Sequence, residues 1–312
     1  PQLPHARPGM VSPSQAFPVP GWMAGLYPFT PSVFMTPRGA AMSYLDEGPR
    51  NDEAVLMLHG NPTWSFYYRD LVLELSSGTR CIAPDHIGMG LSAKPENYDY
   101  TLATRISDIE ALVDSLGLRK IHLVVHDWGG AIGFGLAVRR PSMIGRIVIT
   151  NTAAFPSANI PKRISLCRAP VLGSLLVRGL NGFADPATWM AMATRRLTWD
   201  ERRGYLLPYD SWAHRVAVHR FVKDIPLEAG HPSRATLEDI AEGLQSLASK
   251  EKLIVWGAKD FCFDETFLAR WREIYPDAHV ALLPLVGHYV LEDGGPDTRR
   301  LIANFLRPTQ NL

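Results

Sequence analysis

The chain has 312 residues, 46% of them hydrophobic and 20% charged, with a formal net charge of +1. That is enough apolar mass for one large core, or a core plus an inserted lobe, and the balanced charge lacks the basic footprint of a nucleic-acid binder. No apolar run approaches the roughly 20 residues of a membrane span, and the three scattered cysteines, Cys81, Cys167 and Cys262, do not form a disulfide framework, so a reducing compartment, the cytoplasm, is the default location.

Residues 1–33 are rich in proline and aperiodic, and are predicted to form an arm lying over the domain, held by Phe17, Trp22 and Tyr27. Two short strands are expected around "TPRG". Apolar, often β-branched runs follow: "EAVLMLHG", "TRCIAPD", "KIHLVVHD", "GRIVITNT", "KEKLIVWGAKD" and "AHVALLPLVGH". Near-continuous apolar runs of this length suit strands buried on both faces of a parallel sheet. Between them lie helical patterns. In "TRISDIEALVDSLG", Ile106, Ile109, Leu112, Val113 and Leu116 fall on one face and Gly117 supplies a C-terminal stop. A helix over Gly129–Arg140 is expected to end before Pro141.

The rhythm breaks between about Phe155 and Gly230, where "APVLGSLLVRGL" and "DPATWMAMATRRL" read as helices and no strand-like run occurs. It resumes with the helix "SRATLEDIAEGLQSL". The prediction is an α/β fold with a mostly parallel central sheet flanked by helices, its core formed by 34–155 and 231–312, and an inserted helical cap over 156–230.

Ligands in open α/β sheets sit beyond the carboxyl ends of the strands. Those ends carry His59-Gly60-Asn61-Pro62, Asp85, Asp127, Asn151, Asp260 and His288. A nucleophile, an acid and a histidine in that chain order is the α/β-hydrolase arrangement. The stretch Val125-His126-Asp127-Trp128-Gly129 has the small-x-nucleophile-x-small form of a strand-to-helix elbow, with Val in place of the leading Gly. Taken alone, Asp127 reads equally well as a helix N-cap. Partners at two other strand ends tip it towards catalysis. Asp260 is the acid by position, because the stretch after "GRIVITNT" has none, while Asp264 and Glu265 start the amphipathic helix "DETFLARWREI". A lone loop histidine is more often structural, but His288 completes the series. His59, His86 and His126 are taken as structural, and Asp85 as a stabiliser of the "DHIGMG" turn.

An aspartate nucleophile is already ionised and can displace a leaving group at saturated carbon, forming an alkyl ester. His288 would then activate water, with Asp260 orienting the imidazole. No metal-binding spacing occurs and no cofactor is implied.

Together "LHGNPTWSFYYRDL", "PDHIGMGLSAKP", "VVHDWGG", "WGAKDFCF" and "GHYVLED" resemble the haloalkane dehalogenase branch of the α/β hydrolases, from about residue 34 to the C-terminus and including "YLLPYDSW" and "HRFVKDIPL" in the lobe. The resemblance implies that the Asn61 and Trp128 side chains hold a departing anion and that their backbone N–H groups form the oxyanion hole. Within that branch, "SYLDEGP", "DHIGMGLSAKP", "AKDFCFDETFLARW" and the acid after the penultimate strand most resemble the β-lactone decarboxylases of bacterial long-chain olefin biosynthesis. That resemblance implies a hydrophobic substrate, a cis-3,4-dialkyl β-lactone converted to a cis-alkene and carbon dioxide, and brings in assembly with other olefin-biosynthesis enzymes as a further expectation. It leaves open whether attack falls on the ring carbonyl or the alkyl carbon, and what His288 then does. Haloalkane dehalogenation ranks next. Epoxide hydrolysis ranks third, because it needs two lobe tyrosines and the only pair, Tyr205 and Tyr209, sits in a dehalogenase-like setting. A non-catalytic receptor on the same fold would be expected to have lost a triad member.

Overall fold

The computed structural model of the chain describes residues 19–307, so Phe17 lies outside the described residues. Eight strands run over Ser32–Met35 (β1), Ala41–Glu47 (β2), Glu53–Leu58 (β3), Cys81–Pro84 (β4), Lys120–His126 (β5), Ile144–Thr150 (β6), Lys252–Gly257 (β7) and His279–Leu283 (β8). They form one sheet in the order β1-β2-β4-β3-β5-β6-β7-β8. Only β2 runs against its neighbours; the pairs from β4 through β8 are parallel.

The helices are Arg69–Leu75 (α1), Leu102–Ser115 (α2), Trp128–Arg139 (α3), Lys162–Arg168 (α4), Pro170–Ser174 (α5), Ala184–Met190 (α6), Trp199–Leu206 (α7), Val216–Lys223 (α8), Arg234–Gly243 (α9), Glu265–Ile274 (α10), Val290–Asp293 (α11) and Gly295–Leu306 (α12). Helices α4 to α9 all fall between β6 and β7, and no strand interrupts them among the described residues.

The apolar runs are apolar because both faces of the sheet are covered. Leu56, Leu58, Leu123, Val125, Ile147 and Ile254 point into one core with α2 and α3, whereas Val55, Met57, Val124, Val148 and Val255 point into the other with α1 and α12. Each such side chain stabilises the fold by about 1.5–3 kcal/mol on full burial.

Helix α2 begins two residues before the apolar period implies, because the Thr101 side chain accepts the Thr104 N–H as an N-cap. Gly117 ends it at φ +64°. Asp264 caps α10 by accepting from Thr266 N–H.

Two lobe helices differ from expectation. The stretch 169–180 is α5 continued by a π-helical turn, Leu175–Gly179. The helix expected over 185–197 stops at Met190. The reason is a carboxylate about one hundred residues on. Asp293 accepts the backbone N–H groups of Ala193, Thr194 and Arg195 at 2.9–3.1 Å, which holds them in a turn around it.

At the N-terminal side, Tyr27 is buried with its hydroxyl 2.7 Å from Ser65 Oγ, and Arg203 lies over the Trp22 ring at 4.0 Å.

The chain leaves β3 for β4 on one side and later returns to β5 on the other. The carboxyl ends of β3 and β5 therefore flank the point where strand order reverses, the usual mouth of an α/β site.

Candidate active site

Asp127 is the first residue past β5 and has φ +50°, ψ −127°, a conformation L-residues seldom adopt. Its carbonyl is pinned from two sides, by Gly130 N–H at 3.0 Å and by the Thr152 hydroxyl, and its N–H donates to Asn151 O at 3.2 Å. Strain on the order of 1–3 kcal/mol at such a residue needs this surrounding support. Asp127 occupies the N-cap position of α3, but its side chain makes no capping hydrogen bond there.

The tight turn relies on missing side chains. A Cβ at Gly129 would lie 1.9 Å from Leu58 O, and one at Gly130 would lie 1.8 Å from Thr152 Oγ1. The leading Val125 is accommodated by Gly133, where a Cβ would meet Val125 Cγ1 at 2.6 Å. A glycine one helical turn further on thus makes room for the valine.

The carboxylate Oδ1 accepts the backbone N–H of Asn61 at 2.7 Å. Its Oδ2 faces His288 Nε2 at 3.8 Å. On the other edge of that imidazole, Nδ1 is 2.7 Å from Asp260 Oδ2. Asp260 is itself held by Asn151 Nδ2 (2.9 Å) and by the backbone N–H of Cys262 (2.6 Å). These contacts make Nδ1 the protonated edge of the neutral ring and turn Nε2 towards Asp127.

Burial pushes the Asp127 carboxyl up, an effect that the His288 cation and the backbone N–H groups of Asn61 and Trp128 only partly offset. Burial works against the His288 cation, but the Asp260 carboxylate beside it, helped by Asp127, outweighs this and raises its pKa.

Asn61 and Trp128 both border the same cavity. The Asn61 amide nitrogen donates one N–H to Val218 O in α8 at 3.0 Å, and its Oδ1 is buried without a partner. The Trp128 indole packs against Phe221 at 5.4 Å between ring centres, and its N–H meets no acceptor among the described residues. Four of the five residues singled out in the sequence line the cavity, and Asp260 stands behind His288.

The cavity has a volume of about 480 Å³. Beyond the polar floor its walls are mostly apolar, with Ile164, Leu176, Phe183 and Met190 from the lobe and Phe261 and Phe263 from the segment after Asp260, and Ser157, Asn159 and Arg163 as polar exceptions. A carboxylate here, desolvated and held by N–H groups on one oxygen, can attack with the other. Indole and amide N–H groups beside it can receive an anion without forming an ion pair.

Asn151 stood among the polar strand ends in the sequence, yet nothing there marked its task. At φ +32° it exchanges hydrogen bonds with Gly257, accepting its N–H at 2.7 Å and donating to its O at 3.0 Å, and so ties the ends of β6 and β7 and Asp260 together. The flanking histidines are structural. His59 accepts His86 N–H at 3.1 Å and burial lowers its pKa to about 4; His126 Nε2 meets His288 O at 2.9 Å. Asp85 accepts Ser65 N–H and Leu91 N–H at 2.6 and 2.8 Å, holding the turn after β4. The tyrosine pair is turned away from the site: Tyr205 donates to Glu292 Oε1 at 2.6 Å, Tyr209 lies near Gly90 N at 3.4 Å, and neither lines the cavity.

Residues 53–295 match the family model described as the alpha/beta hydrolase fold. The chain is 45% identical over 285 residues to a cis-3-alkyl-4-alkyloxetan-2-one decarboxylase of Shewanella oneidensis, with 89% of each chain covered. It is 32% identical over 278 residues to a haloalkane dehalogenase of Mycobacterium bovis, covering 87% of this chain and 93% of that one. Among solved structures, a haloalkane dehalogenase from Bradyrhizobium elkani superposes with a TM-score of 0.81 at 26% identity, covering 89% of this chain and 97% of that one.

Proposed function

This chain is an enzyme of the α/β-hydrolase fold family, in the branch that holds the haloalkane dehalogenases and the oxetanone decarboxylases, and on that premise we propose that it decarboxylates cis-3,4-dialkyl β-lactones to cis-alkenes, with Asp127 as nucleophile. The observation that carries the chemistry is the Asp127 carboxylate on the floor of an apolar cavity, one oxygen fixed by the Asn61 N–H and the other free to attack. The substrate class comes from the relatives of 45% identity.

In this reading Asp127 Oδ2 attacks the alkyl-bearing ring carbon that is bonded to the ring oxygen, not the carbonyl carbon. That carbon–oxygen bond breaks, and its electron pair leaves as a carboxylate on the same substrate. The carboxylate then departs as carbon dioxide, its carbon–carbon electrons form the double bond, and Asp127 leaves as the carboxylate it began as. Atoms balance and no water is consumed. Oδ1 remains with the backbone N–H groups of Asn61 and Trp128, which stabilise the ester carbonyl. The Trp128 indole and the Asn61 amide receive the released carboxylate. His288, held by Asp260, supplies positive charge beside Asp127 rather than a base for water.

We assign 34–155 and 231–312 to the catalytic core, 156–230 to the cap over it, and the cytoplasm as location. A place beside other enzymes of olefin biosynthesis goes with the same reading. The intact His288–Asp260 pair supports a second reading, haloalkane dehalogenation, since hydrolysis of an alkyl ester needs that base. Offering purified protein a cis-3,4-dialkyl β-lactone and, separately, a bromoalkane separates the two. Alkene and carbon dioxide from the first are expected; free halide with alcohol from the second, and no alkene, would reverse the ranking.

A further inference from the structure

The lobe hides one apolar face and shows another. Ile164, Cys167, Gly173 and Val177 are buried along α4, α5 and the π-helical turn. On the outside of the same stretch Leu166, Val171, Leu172, Leu175 and Leu180 are exposed, Val171 at 74% and Leu180 at 76%. Single exposed leucines need no explanation, but five within fifteen residues form a patch, and patches of this kind mark interaction surfaces.

The segment itself is basic. From Ile160 to Leu180 there are four cations, Lys162, Arg163, Arg168 and Arg178, and no carboxylate. Arg168 and Arg178 pair with Glu228 and Glu96, whereas Lys162 and Arg163 are exposed and form no ion pair among the described residues, Arg163 standing at the cavity with a contact to Met190 Sδ. Exposed leucines beside unpaired cations suit a segment that lies in an anionic headgroup region. The patch is also continuous with the cavity mouth: Leu166 both lines the cavity and is half exposed, and Leu175 precedes the cavity-lining Leu176.

We propose that the outer face of α4, α5 and the π-helical turn docks on an anionic lipid bilayer, bringing the cavity mouth to the membrane surface. No helix among the described residues is long and apolar enough to cross a membrane.

The test uses the full chain without substrate, so that it stands or falls separately from the assigned reaction. Co-sedimentation is measured with vesicles of equal parts phosphatidylcholine and phosphatidylglycerol, and with vesicles of phosphatidylcholine alone. The protein is expected to sediment with the mixed vesicles, to sediment less with the neutral ones, and to be released in part by salt. Val171→Asp with Leu172→Asp is expected to lower the partition roughly tenfold or more, with an unchanged thermal midpoint showing that the fold is intact. Neither residue lines the cavity. Absence of wild-type binding to the mixed vesicles would overturn the proposal, as would binding that the double variant leaves unaltered. A dimer dissolved by the same substitutions, without vesicle binding, would give the face to a second copy and overturn it too.

Discussion

The backbone N–H of Asn61 donates to Oδ1 of Asp127 at 2.7 Å, joining the ends of two neighbouring strands across 66 residues of chain. The contact needs Gly60: a Cβ there would lie 2.0 Å from the same oxygen. Gly60→Ala therefore has to displace Asp127, the proposed nucleophile. Since a misplacement of about 1 Å costs roughly a hundredfold in rate, kcat on the preferred substrate is expected to fall by that order while far-UV circular dichroism stays native. Wild-type kcat in this variant would contradict the assigned geometry.

Asp127→Ala removes the oxygen proposed to attack. Turnover of β-lactone and bromoalkane alike is expected to drop by roughly 10⁴-fold or more. Retained turnover, measured by product release with the purified variant, would remove Asp127 from the mechanism.

The two titrations separate the two reactions. Attack requires ionised Asp127, whose pKa is raised by burial from the ordinary carboxylate value, so both reactions fail at low pH, earlier than a surface aspartate would dictate. Ester hydrolysis also needs neutral His288, and the Asp260 carboxylate, outweighing burial, lifts the imidazole above its ordinary value near 6.5. Bromoalkane hydrolysis should thus be lost as pH falls through a point above 6.5, while alkene formation persists to lower pH. Profiles of kcat for the two substrates that coincide on the acid side would show that decarboxylation also depends on a neutral His288.

Asp293 links the lobe to the loop of His288. Besides the lobe N–H groups of Ala193, Thr194 and Arg195, it accepts Gly287 N–H at 2.7 Å, next to His288. The Thr194 hydroxyl, which donates to it at 2.6 Å, and these N–H donors together outweigh burial and lower its pKa. The stability it contributes is thus present above the unfolded carboxylate pKa and lost as pH falls through the lower folded one. Asp293→Ala is expected to cost on the order of 2–3 kcal/mol in urea unfolding at pH 7, with kcat reduced because His288 loses its anchor. A stability within 0.5 kcal/mol of wild type would contradict this, being what a surface substitution gives, roughly.

The sheet was legible because burial on both faces leaves nearly every strand residue apolar, as in β3 and β5. The five candidate site residues were legible as a set because their order along the strand ends matches a nucleophile, an acid and a histidine, and four of them line one cavity with Asp260 behind His288; singly they were not, since His59, Asp85 and Asn151 at the same ends hold the structure together. What stayed hidden depends on partners far along the chain. The stop of α6 at Met190 is imposed by Asp293, and the tolerance of Val125 in the elbow is imposed by Gly133. The turning of the Asn61 amide towards Val218 depends on how α8 packs on the core. No local period or spacing encodes any of these.

Oxygen isotope transfer reaches the central claim most directly. The enzyme is cycled with a cis-3,4-dialkyl β-lactone in H₂¹⁸O, and the peptide carrying Asp127 is then weighed. The account predicts alkene as product and an unlabelled Asp127, because the carboxylate departs intact and no water attacks it. Alcohol or hydroxy acid as product, with ¹⁸O incorporated into Asp127, would contradict it and make the enzyme a hydrolase.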